Sequence, residues 1–403
     1  MPSAIELERR YGAANYEPLP VVLVRGEGVH VWDDAGRRYL DMMSAYSSVS
    51  LGHAHPRIVR ALSEQAHRLA MTSRAYYSDR LGSFLARLCW LTGMDRALPV
   101  NTGLEAVETA LKAARKWAHK VKGVPDGCAE IIACEGNFHG RSIAIVAMSS
   151  ELPYRDGFGP FPAGFKLIPF GAACELEGAI TPHTAAFLVE PIQGERGIMV
   201  PPPGYLAECA RICRERNVLF IADEVQTGLG RTGKMLACDH EGVQPDGLVL
   251  GKALGGGMLP VSAFLARDDV MGVFHPGDHG STFGGNPLAA AVALETLEVI
   301  VEERLPERAA TLGAHLHAGL AAIASPLIRE VRGRGLFIGV DIDPARATAR
   351  QVVDRLLAHG MLSKDTHDTV VRFAPPLVIA RPEIDWAIEE VRKVLAELEH
   401  ELG

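Results

Sequence analysis

Short apolar runs separated by longer amphipathic stretches dominate the middle of the chain. Residues 129–134, 185–190, 218–223 and 247–250 are runs of four to six mostly apolar residues. Runs of that length suit strands buried on both faces of a parallel sheet. Between them, residues 104–120 and 204–217 read as helices. This alternation predicts an α/β layer fold, a mainly parallel sheet between helices, over residues 51–285. Upstream, residues 21–24, 29–32 and 38–41 read as small strands, broken by turn residues at 26–28 and 34–36. Downstream, residues 286–305 form an Ala-rich helical stretch able to bridge two domains. After it come a helix, strands over 329–341, a helix over 347–359, a strand at 370–373 and a final helix over 382–402. That order is α+β. The expected organisation is a large domain over 51–285 and a smaller α+β domain, built from the linker helix and C-terminal part (286–403) with the N-terminal segment (1–50).

Composition narrows the class. A chain of 403 residues, 48% of them hydrophobic, can bury large cores without disulfide or metal staples. The net charge is −8 and the basic residues are spread, which argues against nucleic acid or an anionic membrane as the main partner. Seven cysteines without tight spacing read as reduced, mostly core thiols. The first sixteen residues lack the apolar core of a signal peptide, and no stretch approaches the ~18 apolar residues of a membrane span. A cytoplasmic protein is therefore expected.

Candidate chemistry collects where strand ends should lie, the usual ligand side of an open α/β sheet. The run 218–223 ends in Asp223 and Glu224, and the run 247–250 is followed by Gly251 and Lys252. A lysine in so crowded a place is partly desolvated, which lowers its pKa and frees the neutral amine as a nucleophile. A carboxylate at a neighbouring strand end can pair with a pyridinium nitrogen. From local sequence alone, Lys252 also reads as a snorkelling surface residue and Asp223 as a helix cap. Asn101-Thr-Gly103-Leu104 opens a helix and offers amides to a phosphate. Phe138, His139 and Arg141 follow another strand. The arginine suits a carboxylate, or equally a surface ion pair. Two motifs read as decoys. Gly228-Leu-Gly-Arg-Thr-Gly233-Lys234 matches the start of a phosphate loop, but Met235 stands where a Ser or Thr should bind magnesium. His53-Ala-His55 has no Cys or acid at ligand spacing.

Taken in order, the landmarks Gly52-His-Ala-His-Pro56, Asn101-Thr-Gly103, Gly136-Asn-Phe-His-Gly-Arg141, Glu190-Pro-Ile-Gln-Gly-Glu195, Asp223-Glu-Val-Gln-Thr-Gly228, Gly251-Lys-Ala-Leu254 and Gly280-Ser-Thr-Phe-Gly-Gly-Asn-Pro287 are specific. With them the chain resembles the class III, fold type I, pyridoxal-phosphate (PLP) aminotransferases over nearly its whole length, and among them most closely the ornithine aminotransferases. The resemblance implies a large PLP-binding domain. It implies Lys252 as the covalent cofactor residue and proton shuttle, and Asp223 as partner of the pyridine nitrogen. Gln226 would reach the phenolic oxygen, Phe138 would stack on the ring, and Gly103 and Leu104 would hold the phosphate. Ser281 and Thr282 would complete the phosphate site from a second subunit, so a homodimer or higher homo-oligomer is implied. For the substrates, L-ornithine and 2-oxoglutarate, it implies Arg141 as the distal-carboxylate arginine. Arg372 would be a second arginine, masked by Glu195 until a substrate carboxylate displaces it. Tyr16 and Tyr46 would line the ornithine site. His139 stands where animal members carry Trp and bacterial-type members often His, which points to lineage more than to a changed reaction. Arg196, a large basic residue after Glu195, bears on the fine tuning of that mask. The alternatives are another ω-aminotransferase of the class, acting on acetylornithine, 4-aminobutyrate or lysine, and a non-catalytic binding protein.

Overall fold

The structure, a computed structural model, describes residues 2–402. Its centre is a seven-stranded sheet. In spatial order the strands are Arg96–Val100, Ser262–Ala266, Gly247–Leu250, Leu219–Asp223, Thr184–Val189, Glu130–Cys134 and Phe165–Ile168. All run parallel except Ser262–Ala266, which is antiparallel to both neighbours. The four runs expected as buried strands are strands, shifted by at most one residue at each end. Leu219–Asp223 and Gly247–Leu250 are buried at every position, as a strand covered on both faces must be.

Three strands were not anticipated, each for a physical reason. Arg96–Val100 and Phe165–Ile168 are the two edges of the sheet and are only partly buried. Edge strands need no continuous apolar run, and an edge tolerates Pro99. Ser262–Ala266 is wholly buried, but a serine and two alanines among five residues weaken its apolar signal.

Helix Gly103–Trp117 lies on this sheet. It starts with a capping box, in which the Thr102 hydroxyl accepts from the Glu105 amide and the Glu105 carboxylate accepts from the Thr102 amide. Ala106, Ala110, Ala113 and Ala114 form its buried face, small enough to bring the helix close to the strands. Helix Pro287–Glu302 has Asn286 as its cap and Pro287 in its first turn.

The C-terminal part forms a second sheet, Ile328–Arg334, Phe337–Ile342, Val370–Phe373 and Lys364–Thr366. A third sheet joins the chain's two ends. Leu23–Glu27, His30–Asp33 and Arg38–Asp41 are antiparallel neighbours, and Met361–Leu362 adds to Arg38–Asp41 in parallel. Met361–Leu362 and Lys364–Thr366, two and three residues long, carry no periodicity to read.

Both decoy motifs have structural roles. The segment 228–234 is a connector whose Arg231 is 1% exposed. Its guanidinium donates to the carbonyls of Leu336 (3.0 Å) and Pro375 (2.5 Å) and to the Ser50 hydroxyl (3.0 Å), fastening three parts of the chain together. His53 bonds Asp41 at 2.8 Å while His55 bonds Glu303 at 3.3 Å, so the two imidazoles serve different carboxylates. All seven cysteines are free thiols, four of them buried. Among the described residues no helix is long and apolar enough to cross a membrane.

Candidate active site

The strand ends converge on a cavity of about 230 Å3, with Gly103, Leu104, Phe138, Asp223, Gln226 and Lys252 in its wall. Lys252 follows Gly247–Leu250 and begins a single tight helical turn with a positive φ of 43°. A non-glycine residue held there is strained, and strain of this kind concentrates at functional sites. Burial is the largest influence on its amine and pushes it down; Glu195, Asp223 and Glu190 oppose that, and the amine settles at about 8. Lys252 thus keeps a neutral fraction near neutral pH.

Asp223 ends its strand with its carboxylate buried. One oxygen is bonded to His139 Nδ1 at 2.7 Å and the other accepts from the Val225 amide at 3.1 Å. Burial works against a charged His139, but the hydrogen bond and charge of Asp223 outweigh it and raise its pKa. The other ring nitrogen, Nε2, is buried without a partner. Glu190, at the end of strand Thr184–Val189, accepts from the Phe138 amide at 2.9 Å, and burial raises its carboxyl to about 7. His139 was singled out from sequence beside Phe138 without a role, and Glu190 was not singled out as a site residue. Their signals were a titratable group beside a predicted aromatic and an acid closing an apolar run.

The opposite wall belongs to the C-terminal sheet. In Val370–Phe373, Val371 and Phe373 join the apolar core and the strand's alternation sends Arg372 to the other face. Arg372 is 3% exposed. Its Nη1 donates to Glu195 Oε1 at 2.8 Å, and its Nη2 donates to Gln226 Oε1 at 3.1 Å. Gln226 Nε2 in turn donates to the same Glu195 oxygen at 2.7 Å. The pair is therefore end-on rather than bidentate, with Gln226 as a bridge. Burial pushes Glu195 up, but Arg372 and Lys252 and these hydrogen bonds prevail and hold it at about 2. Gly194 is required for the bridge, since a Cβ there would lie 2.1 Å from Gln226 Oε1.

Tyr46 faces this pair, its ring 5.5 Å from the Arg372 guanidinium. It sits in a turn, residues 44–47, in which four consecutive non-glycine residues have positive φ. Such backbone costs ~1–2 kcal/mol per residue. Offsetting bonds run from Ser44 Oγ to the Ala374 carbonyl (2.6 Å), from the Ser44 amide to Asp41 (2.8 Å), and from Arg231 to Ser50. Tyr16 is 70% exposed on the N-terminal segment, near enough to influence Tyr46 electrostatically. Arg141 is exposed at the mouth and makes no ion pair among the described residues; its guanidinium stacks 4.4 Å from the Tyr154 ring.

The structure thus brings together Lys252, Asp223, Gln226, Phe138, Gly103, Leu104, Glu195, Arg372 and Tyr46. It leaves Ser281 and Thr282 outside this chain's own cavity. The Ser281 hydroxyl accepts from Asn101 Nδ2 at 2.8 Å, and Thr282 is exposed. Gln226, expected at the cofactor's phenolic oxygen, spends its amide on the Glu195–Arg372 pair while still lining the cavity.

The donor set fits PLP. Phe138 offers a ring face, Lys252 a part-neutral amine and Asp223 an oriented carboxylate. The first-turn amides of Gly103 and Leu104 have no helical partner, and the helix dipole favours a phosphate there. A Cβ on Gly103 would lie 3.0 Å from Val225, so the backbone approaches closely there.

The chain is similar to known proteins over nearly its whole length. The family model "Aminotransferase class-III" matches residues 11–395. An ornithine aminotransferase of Geobacillus sp. (strain WCH70) is 58% identical over 97% of this chain and 98% of its own length. The structure of the Toxoplasma gondii ornithine aminotransferase, in which PLP partly occupies the active site, is 47% identical. It superposes with a TM-score of 0.97 over 98% of this chain and 94% of its own. The crystal structure of an acetylornithine aminotransferase from Elizabethkingia anophelis is also 47% identical, with a TM-score of 0.89 over 98% of both chains.

Proposed function

The chain belongs to the class-III aminotransferases, PLP-dependent enzymes of fold type I, and on that footing we propose that it transfers the δ-amino group of L-ornithine to 2-oxoglutarate. The products are glutamate 5-semialdehyde, which cyclises to pyrroline-5-carboxylate, and glutamate. The observation that carries the choice of substrate is the end-on Glu195–Arg372 pair beside Lys252.

PLP, when bound, supplies an electron sink for the carbon next to the transferred amine. Lys252 would hold the group covalently until the substrate amine takes its place, and its freed Nζ would then move the proton from the substrate carbon to the cofactor. Asp223, aimed by His139, would serve the pyridine nitrogen; Phe138 would offer its face to the ring; the Gly103 and Leu104 amides would hold the phosphate. Two selectivity tasks remain. Ornithine must present its δ-amine, with its α-carboxylate far from Lys252; 2-oxoglutarate must present a keto group with a carboxylate beside it. Arg141, free of ion pairs, takes the distal carboxylate in both. Arg372, masked by Glu195, is closed to ornithine's apolar middle. A carboxylate from 2-oxoglutarate displaces Glu195, and an end-on contact yields more readily than a bidentate one. Tyr46 shapes the ornithine site, and Tyr16 contacts the α-amino group.

The same reading assigns Ser281 and Thr282 to the phosphate site of a second copy, hence a homodimer with shared sites. It also assigns a cytoplasmic location, and a place in proline or arginine metabolism. The large and small domains divide at residues 50 and 285. A panel of amino donors with 2-oxoglutarate tests the function. Ornithine is expected to lead; a clear preference for acetylornithine, 4-aminobutyrate or lysine overturns the assignment.

A further inference from the structure

Arg141 has an environment that its proposed role does not by itself explain. A guanidinium that must catch a carboxylate at the mouth of a cleft is long, flexible and exposed, and holding it still costs rotamer entropy. No carboxylate or carbonyl steadies it among the described residues. Two aromatic faces do. Its Cζ lies 4.4 Å from the Tyr154 ring centroid and 5.8 Å from that of Phe138. The two rings meet edge to face, 5.9 Å apart at 77°. The three side chains form one block: Phe138 in the cavity wall, Tyr154 nearly perpendicular to it, Arg141 over both.

Tyr154 is itself fastened. It lies on the short helix Leu152–Arg155. The segment before that helix is tied to the loop bearing Phe138: Asn137 Nδ2 donates to the Met148 carbonyl at 2.7 Å, and the Gly136 amide donates to Ser150 Oγ at 2.8 Å. Arg155 anchors the other side, donating to the Ser149 carbonyl at 3.0 Å. Burial and the Glu195 charge keep the Tyr154 phenol protonated, with Arg141 pulling the other way.

We propose that Tyr154 is a positioning residue for substrate specificity: its ring face holds Arg141 over the Phe138 ring, at a fixed place relative to the cavity wall, so that substrates bearing a distal carboxylate are selected. The inference rests on the reading of Arg141 given above. An arginine on an aromatic face keeps its hydrogen-bonding edge free for a bidentate carboxylate, whereas one held by an ion pair does not. The ring restrains Arg141 through its face, and at most the Tyr154 hydroxyl takes one of the guanidinium's five N–H donors.

The test compares donors with and without the carboxylate, using the cofactor-loaded enzyme. Wild type should use ornithine at least tenfold better in kcat/KM than 1,4-diaminobutane, which lacks only that carboxylate. Tyr154→Leu should raise KM for ornithine and for 2-oxoglutarate about five- to tenfold. It should leave kcat within about twofold and leave 1,4-diaminobutane kinetics unchanged. Tyr154→Phe, which keeps the ring, should restore wild-type KM values. The bound-cofactor absorbance of each variant verifies folding, and inhibition by glutarate, a dicarboxylate that undergoes no transfer, reports on Arg141 independently of turnover. A wild type indifferent to the carboxylate would overturn both the Arg141 assignment and this inference. A discriminating wild type whose Tyr154→Leu variant discriminates equally well, or loses both donors alike, would overturn the role of Tyr154 alone.

Discussion

Replacing Glu195 with alanine should convert an enzyme that prefers to start from ornithine into one that starts readily from glutamate. Arg372 is 3% exposed, and Glu195 is its carboxylate partner. The Glu195 carboxyl sits at about 2 against an ordinary 4.5, which corresponds to roughly 3 kcal/mol favouring its charged form. Part of that comes from Lys252, so ~3 kcal/mol is a ceiling on what a substrate carboxylate must overcome to displace it. Without Glu195, Arg372 keeps only Gln226 Oε1 at 3.1 Å, and an incoming carboxylate meets a buried, unpaired cation. The gain in kcat/KM for L-glutamate as α-amino donor should be about 10- to 100-fold, or ~1.4–2.7 kcal/mol. The ornithine value should change little or fall, because an unmasked Arg372 also invites α-transfer. Single-turnover absorbance changes of the bound cofactor with each donor measure both numbers. A glutamate-to-ornithine ratio within threefold of wild type would refute the gate. The pH sign is fixed as well. With its folded pKa depressed, Glu195 contributes stability above ~4.5, and this is lost as pH falls toward about 2. The gate therefore stays charged throughout the working range and is opened by substrate, not by pH.

Other outcomes follow from the same geometry. Lys252→Ala should abolish turnover, with the product assay at background. In cofactor-free protein the same change should raise the melting temperature at pH 7, because a lysine whose folded pKa is lowered to about 8 carries a penalty below that pH, relieved as pH rises from about 8 to 10.5; an unchanged or lower temperature counts against a desolvated amine. His139→Phe removes the bond that aims Asp223, a charge-assisted contact of ~1.5–3 kcal/mol, and should weaken cofactor binding ~10-fold or more in a fluorescence titration. Gly194→Ala places a methyl group against Gln226 and should shift donor preference in the same direction as Glu195→Ala, though less. Arg231→Met leaves the Leu336 and Pro375 carbonyls without their buried donor and should cost ~2–4 kcal/mol in urea unfolding.

Much of this was legible in the sequence because an α/β sheet advertises itself. A strand covered on both faces must be apolar throughout, so Leu219–Asp223 and Gly247–Leu250 stand out, and a charged residue that closes such a run must lie at a strand end. Lys252 and Asp223 were found that way. Their ordering among the other landmarks then made a surface role for Lys252 untenable, and its amine at about 8 and its strained φ agree with that. What stayed hidden were relations between distant segments. Nothing near Gln226 says that it bridges Glu195 to Arg372, 146 positions away. Nothing near Arg231 separates a core fastener from a phosphate loop except the absence of a hydroxyl at Met235.

The two walls of the cavity therefore differ in how they can be inferred, and this bears on function. The wall carrying Lys252, Asp223 and the Gly103 helix start is set by local sequence, and it fixes the cofactor chemistry that the whole class shares. The wall carrying Glu195, Arg372 and Tyr46 depends on packing between the chain's ends and its centre. The turn at residues 44–47, with its positive φ values, is tied to Asp41 and to Ala374 just after the strand of Arg372, and Arg231 fastens the neighbouring Ser50. Substrate choice lies in that second wall. A relative that shares this fold at 47% identity is an acetylornithine aminotransferase, so donor preference changes within one architecture. Substitutions at Glu195, Arg372 and Tyr46 should therefore move the amino-donor preference in a substrate panel, and variants that keep the wild-type order of donors would count against this division of the site.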